Sequence, residues 1–363
     1  MNILVDAIYS HNSGGKEILR LLLEKLNTTN ITYLLDARLD INSISPIYGN
    51  SVILNASETN RLKYYKQNHK KFNKIICLSN VPPPINVDSK VLIYFHNRLL
   101  VNQRKSGLSI KAKLLNILKK FYIFYLNKKN YEWIVQTNLM RLTLLNKIDN
   151  KIHIYPIFDD TNDTRINKIQ NFEYLYVGSN AKHKNLKRLL RSFYLLAKSQ
   201  NNQITLHLTV EKEFNNDLNK LINFHDNLTV INHGNISKTE LKKLYKRSYY
   251  FVYPSLVESF GLPLLEAESH GCKLICADLE YVHEIVKPSI VFNPYSEVSI
   301  KDSLLKALND KPLKASSKRI TNKIDKDVYL ETKDPKTNVR VVVKNDMKYS
   351  LKNSILMRAI GDV

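Results

Sequence analysis

The stretch from Tyr249 to Gly271 limits most narrowly what this chain can fold into. Tyr249 to Tyr253 is a short aromatic and β-branched run suited to a buried strand, while Leu264, Leu265 and Ala267 suit a helix that stops at Gly271. Between them lies Glu258-Ser259-Phe260-Gly261, and Pro263 fits the first turn of the helix, where no amide hydrogen is needed. A helix start presents free backbone N–H groups and the positive end of a dipole, so this loop suits a phosphate or a developing oxyanion. Glu258 in the loop and Glu266 one turn into the helix set two carboxylates on either side of that anion site. A carboxylate that accepts from two hydroxyls grips a sugar or ribose diol well.

Glu258 and Glu266, in the context E-S-F-G-L-P-L-L-E-A, resemble the E-x7-E element of retaining GT-B glycosyltransferases, in particular the large family four of that classification. The resemblance implies that Glu258 lies near the donor sugar, that the loop Ser259, Phe260 and Gly261 approaches sugar and diphosphate, and that Glu266 holds the nucleotide ribose. Two glutamates at one spacing are otherwise an ordinary helix N-terminus with solvated acids; the Phe-Gly-Leu-Pro between them and the strand before them carry the likeness.

At 363 residues and 44% apolar content the chain is long enough for two domains, each with its own core. Three cysteines, Cys77, Cys272 and Cys276, make no disulfide framework and suit a reducing compartment; the latter two read as small core residues. The N-terminus has no basic segment followed by an apolar one, and runs such as Phe121 to Leu126 are too short to span a bilayer, so a cytoplasmic protein is expected. Net charge is +22 and unevenly spread: no acidic residue falls between Asp88 and Glu132, where ten lysines and arginines do. The partners expected are anionic, whether nucleic acid, a membrane surface or phosphorylated substrates. No signature of a nucleic-acid module is present, so nucleic acid is not expected among them.

In the first domain, strands are expected at Ile3 to Ile8, Ile31 to Leu35, Ser51 to Leu54, Lys74 to Leu78 and Lys90 to Phe95, with helices over Lys16 to Leu26 and near Asn60 to His69. Gly14 and Gly15 fall at the first strand-to-helix turn; they serve either a ligand's close approach or a tight turn with positive φ. His96, at the C-terminal end of a strand, stands where open α/β sheets bind ligands, though a lone histidine there is more often a surface residue. The resemblance implies donor phosphates beside Gly14 and Gly15, and His96 near the reacting centre. Leu108 to Tyr131 interleaves apolar and aromatic residues with lysine pairs. As a helix it either packs its stripe on the sheet or, within the basic 89–131 region, lies on anionic headgroups. Glu132 to Gln136 and Lys151 to Pro156 are further strands, and residues 157–171 read as the linker.

The second domain opens with a strand ending at Gly178, followed by Lys184 just before a helix whose apolar face is Leu186, Leu189, Leu190, Phe193 and Leu196. The resemblance implies that Gly178 and Lys184 receive the donor diphosphate. Many relatives carry Arg directly after the glycine, where this chain has Ser179, so Lys184 carries more of that charge or shares it with Lys182 and His183. Further strands are expected at Ile204 to Val210, Leu228 to Ile231 and Lys273 to Ala277, and helices at Asp217 to Phe224, after the capping box of Ser237 and Glu240, and at Val298 to Leu308. The resemblance runs from Met1 to about Leu308. The basic tail from 311 departs from it, and Asp325-Lys326-Asp327 matches a metal motif only by letter.

The expected architecture is therefore GT-B, two Rossmann-like α/β domains facing across a cleft: 1–156 on the acceptor side, the linker 157–171, 172–310 for the nucleotide-sugar, and an atypical tail 311–363. The function implied is retaining, metal-independent transfer of a hexose from a nucleotide-diphospho-sugar to a saccharide acceptor, lipid-linked, in bacterial O-antigen, capsule or lipopolysaccharide biosynthesis at the inner face of the membrane. His96 and Glu258 are the catalytic candidates; Gly14, Gly15, Gly178, Lys184, Ser259, Phe260, Gly261 and Glu266 are the donor-binding ones. No cofactor and no metal are expected. The alternatives are a nucleotide-sugar 2-epimerase and a non-catalytic nucleotide-sugar-binding subunit.

Overall fold

The computed structural model describes residues 2–11, 13–24, 30–44, 46–103, 107–159, 172–214, 225–309 and 313–320. These divide into two compact units, residues 2–102 with 114–159 and residues 103–113 with 172–320. The core of the linker, the helix expected at Asp217 to Phe224 and the tail beyond 320 lie outside the described residues.

The first unit is built on seven parallel strands, β1 (Ile3–Ala7), β2 (Ile31–Asp36), β3 (Asn50–Leu54), β4 (Lys74–Cys77), β5 (Lys90–Tyr94), β6 (Glu132–Val135) and β7 (Ile152–Ile154), in the spatial order 3-2-1-4-5-6-7. Helices α1 (Ser13–Leu23), α2 (Glu58–Asn68), α3 (Ile110–Tyr125) and α4 (Asn138–Leu145) connect them. The β1 side chains are buried on both faces, as a parallel sheet with separate cores on its two sides requires. Side-chain caps set the helix starts: Ser57 accepts from the Asn60 amide and Thr137 from the Met140 amide.

The second unit has six parallel strands, β8 (Glu173–Val177), β9 (Ile204–Thr209), β10 (Leu228–Asn232), β11 (Tyr250–Tyr253), β12 (Lys273–Ala277) and β14 (Ile290–Phe292), in the order 10-9-8-11-12-14. Its helices are α5 (Leu186–Lys198), α6 (Lys238–Arg247), α7 (Leu262–Ser269), α8 (Glu280–Ile285) and α9 (Glu297–Asn309). The expected capping box opens α6, with Ser237 and Glu240 each bonding the other's backbone amide. Gly271, at φ 76°, closes α7: its amide reaches the Glu268 carbonyl at 2.9 Å and that of Cys272 reaches Ala267 at 3.0 Å, the two bonds of a Schellman motif. Beyond α9 the chain returns to this unit, pairing β15 (Ser317–Lys318) antiparallel with β13 (Val286–Lys287).

Each sheet changes direction once, between β1 and β4 in the first and between β8 and β11 in the second. In open α/β sheets such a switch point leaves a crevice beyond the carboxyl ends of the strands.

α3 decides against one of the two readings of the basic segment. Ile123 is its one buried side chain among the described residues, while Leu114, Leu118, Phe121 and Tyr125 stand exposed, so the stripe does not pack on the sheet. The helix is held instead by Ile123 in the core and by the Tyr122 hydroxyl, which donates to Glu58 Oε2 at 2.6 Å.

A polar network invisible in the sequence lies beneath β1. The Arg61 guanidinium, 2% exposed, donates to Asp6 Oδ2 at 2.8 Å and to the Val81 carbonyl at 3.0 Å, and the Tyr65 hydroxyl donates to the same Asp6 oxygen at 2.8 Å. Removing one partner of such a pair strands the other charge away from water. Arg61→Met is expected to cost about 3–5 kcal/mol of stability in urea unfolding, with Asp6→Asn/Arg61→Met recovering part of it; unchanged stability in the single variant would show that the pair is not buried as described.

Candidate active site

The predicted residues of the second unit converge at its switch point. β8 ends at Val177, and Gly178 leads through a tight turn, Lys182–Lys184, into α5; β11 leads through Pro254 to Gly261 into α7. Lys184 Nζ lies 2.7 Å from Glu258 Oε1, with the two side chains 17% and 13% exposed, so residues 74 apart in sequence form one ion pair. Burial by itself would raise the Glu258 pKa; the Lys184 ammonium and the nearby His183 outweigh it and hold the carboxyl below its ordinary value. Tyr253 lies under the pair, its ring centroid 6.0 Å from Lys184 Nζ, and burial followed by the Glu258 charge keeps its phenol protonated.

Asn185, which no sequence signal singled out, organises this edge. It sits at φ 60°, a left-handed conformation asparagine tolerates better than most residues. From there its side-chain amide donates to the carbonyls of Pro294 at 2.8 Å and Pro254 at 3.3 Å, and its own carbonyl oxygen accepts from Arg188 at 2.6 Å. The Leu256 amide adds a bond of 2.7 Å to the His183 carbonyl. The loops carrying Lys184 and Glu258 are thus fixed to one another by backbone and side chain as well as by charge.

Gly261 caps α7 at φ 78°, where a Cβ would stand 3.2 Å from Leu264 and would force a conformation that other residues avoid. Pro263 occupies the first turn as expected. Ser259 is half-buried and Phe260 buried. A Cβ on Gly178 would meet the buried Tyr176 hydroxyl at 2.9 Å, so this glycine is required by packing at the strand end. Glu266 is half-buried on α7, and one of its oxygens accepts from the Tyr245 hydroxyl of α6 at 2.9 Å. Tyr245 is itself locked by stacking on His270, centroids 5.4 Å apart. No sequence signal singled it out as the residue that orients Glu266.

In the first unit the structure places Gly14 and Gly15 inside the opening turn of α1, with no positive φ at either, which corrects the turn expected there; among the described residues of that loop Tyr9 is left-handed, at φ 76°. Gly15 abuts His96: a Cβ would stand 3.6 Å from His96 Nε2 and 3.4 Å from the Ser10 backbone, whereas Gly14 faces open space. His96 is held by Asn80, again left-handed at φ 69°, whose side-chain oxygen accepts from the amides of His96 at 2.7 Å and Asn97 at 3.0 Å. Burial pushes the His96 pKa down to about 4, partly opposed by the Tyr94 backbone, so its imidazole is neutral near pH 7.

Comparison with known proteins follows the same division. Residues 159–326 match the family model described as glycosyl transferases group 1, which takes in the whole Lys184–Glu258 edge. An O-antigen chain mannosyltransferase B of Escherichia coli is 31% identical over 139 residues, 38% of this chain and 36% of that one. The O-antigen chain mannosyltransferase RfbU of Salmonella typhimurium is 28% identical over 135 residues, 36% and 37% of the two chains, so little more than a third of either relative is matched. Among solved structures, WaaG, a glycosyltransferase involved in lipopolysaccharide biosynthesis, superposes with a TM-score of 0.62 at 16% identity over 85% of this chain and 91% of that one. The fold is GT-B, two parallel-sheet α/β units.

The folded carboxyl of Glu258 titrates below its unfolded value, so its contribution to stability is complete above the ordinary glutamate pKa of about 4.3 and is lost as pH falls through the depressed folded value. Melting temperatures from pH 6 downward are expected to fall more steeply for the wild type than for Glu258→Gln; parallel curves would show that the pair carries no linkage.

Proposed function

We propose that this protein is a glycosyltransferase that transfers a hexose, with retention, from a nucleotide-diphospho-sugar to a lipid-linked saccharide in the assembly of bacterial surface polysaccharide, working at the cytoplasmic face of the membrane. The observation that carries the reading is the Lys184–Glu258 pair at the switch point of the second sheet, beside the glycine-capped start of α7. The names of the two O-antigen relatives favour mannose as the hexose.

Lys184 would leave Glu258 for the donor diphosphate, exchanging one anionic partner for another. Negative charge grows on the leaving diphosphate during transfer, and an ammonium with a helix N-terminus already aimed there stabilises that charge without reorganisation. Glu258, released from the lysine, would accept hydroxyls of the donor sugar, and Glu266, oriented by Tyr245, would accept the ribose diol. Ser259, Phe260 and Gly261 would follow the diphosphate at the α7 start. Through Gly14, Gly15 and His96 the first unit would take part; a neutral imidazole there donates or accepts a hydrogen bond without adding charge. The reading invokes no metal and no cofactor.

A calorimetric panel of nucleotide sugars tests it. One donor is expected to bind selectively, and Glu266→Ala to weaken it by about 1–3 kcal/mol, roughly 5- to 150-fold, with Tyr245→Phe losing less. Absence of binding by any nucleotide sugar would remove the glycosyltransferase reading. Selective binding without turnover on acceptor lipids would leave a donor-binding subunit.

A further inference from the structure

We propose that α3 is a docking surface for a bilayer with anionic headgroups. At the 100° step of a helix, Ile110, Leu114, Ile117, Leu118, Phe121 and Tyr125 fall within an arc of about 100°, a continuous stripe. All six are exposed, Ile110 at 87%, Phe121 at 67% and Tyr125 at 81%, which is unusual for a contiguous apolar stripe on a folded surface. The face by which the helix rests on the first unit, marked by buried Ile123 with half-buried Asn116, lies on the opposite side. The stripe therefore points outward.

Charge selects the occupant. Lys111 borders one edge of the stripe and Lys113 and Lys120 the other, Lys128 and Lys129 follow the helix, and no carboxylate occurs between Asp88 and Glu132. An apolar strip bordered by ammonium groups matches the boundary of an anionic bilayer, where apolar side chains sink about 5–10 Å and lysine stems reach outward to phosphate. The Tyr122 hydroxyl bond to Glu58, 2.6 Å long, fixes the helix to the N-terminus of α2, so docking would orient the first unit and not merely a tether.

The surface is independent of donor chemistry, and its test needs no donor. The full chain is mixed with vesicles of phosphatidylcholine alone or with about a third phosphatidylglycerol, at low and at high salt, and the bound fraction is read by co-sedimentation. Binding is expected to be about tenfold or more tighter to the anionic vesicles and to weaken with salt. Leu118→Ser/Phe121→Ser and Lys111→Gln/Lys113→Gln are each expected to lower it by about tenfold, with thermal melting unchanged because these side chains contribute little to the core. No binding to anionic vesicles, binding that neither double variant weakens, or a solution dimer that Leu118→Ser/Phe121→Ser dissociates would each overturn the proposal, the last by assigning the stripe to a second copy of the chain. Donor calorimetry on the same preparations keeps a failure here separate from a failure of the glycosyltransferase reading.

Discussion

The second unit depends on an ion pair that two loops must hold ready. Lys184 and Glu258 are mostly withdrawn from water and 2.7 Å apart, and neither charge is tolerable there without the other. A buried pair contributes little net stability against an apolar substitute, so its presence at a sheet switch point favours use over support. An anion that brings its own negative charge can take the lysine while the carboxylate turns to hydroxyls. On the proposed function the pair would be a placeholder for substrate, stable without it and convertible with it.

Such a pair works only if the loops cannot drift, and both units solve that problem with the same device. Asn185 and Asn80 are each buried, each left-handed, and each uses its side-chain amide to hold the loop beyond an adjacent strand: Pro254 and Pro294 in one case, His96 and Asn97 in the other. Asparagine suits the task because it accepts positive φ and carries both donor and acceptor on a short stem. Candidate site side chains at the carboxyl ends of the strands are thereby positioned by backbone carbonyls and amides, which mutation of neighbouring side chains leaves in place.

Much of this was legible in the sequence. Strands such as Ile3–Ala7 and Tyr250–Tyr253 are nearly continuous apolar runs because helices cover both faces of the sheets, and the caps at Ser57, Thr137 and Ser237 lie at readable spacings from their targets. The expected strand and helix positions were met to within a few residues wherever the structure describes them. Gly14 and Gly15 were misplaced because glycine signals a turn, whereas α1 begins at Ser13 and absorbs both into its first turn. Pairings over long separations left no trace: Asp6 with Arg61, Glu258 with Lys184 and Glu266 with Tyr245 are products of topology. Whether the α3 stripe was core or surface could not be decided from periodicity, since both demand the same spacing; its exposure decided it.

The proposed function makes Lys184 the acceptor of diphosphate charge. Calorimetric titration of nucleoside diphosphates and the matching monophosphates into the wild type and Lys184→Met tests this most directly. The wild type is expected to prefer the diphosphate, and the substitution to abolish that preference by weakening the diphosphate about tenfold or more while sparing the monophosphate. An unchanged preference in Lys184→Met, or an equal loss for both nucleotides, would contradict the account and return Lys184 to a structural partner of Glu258.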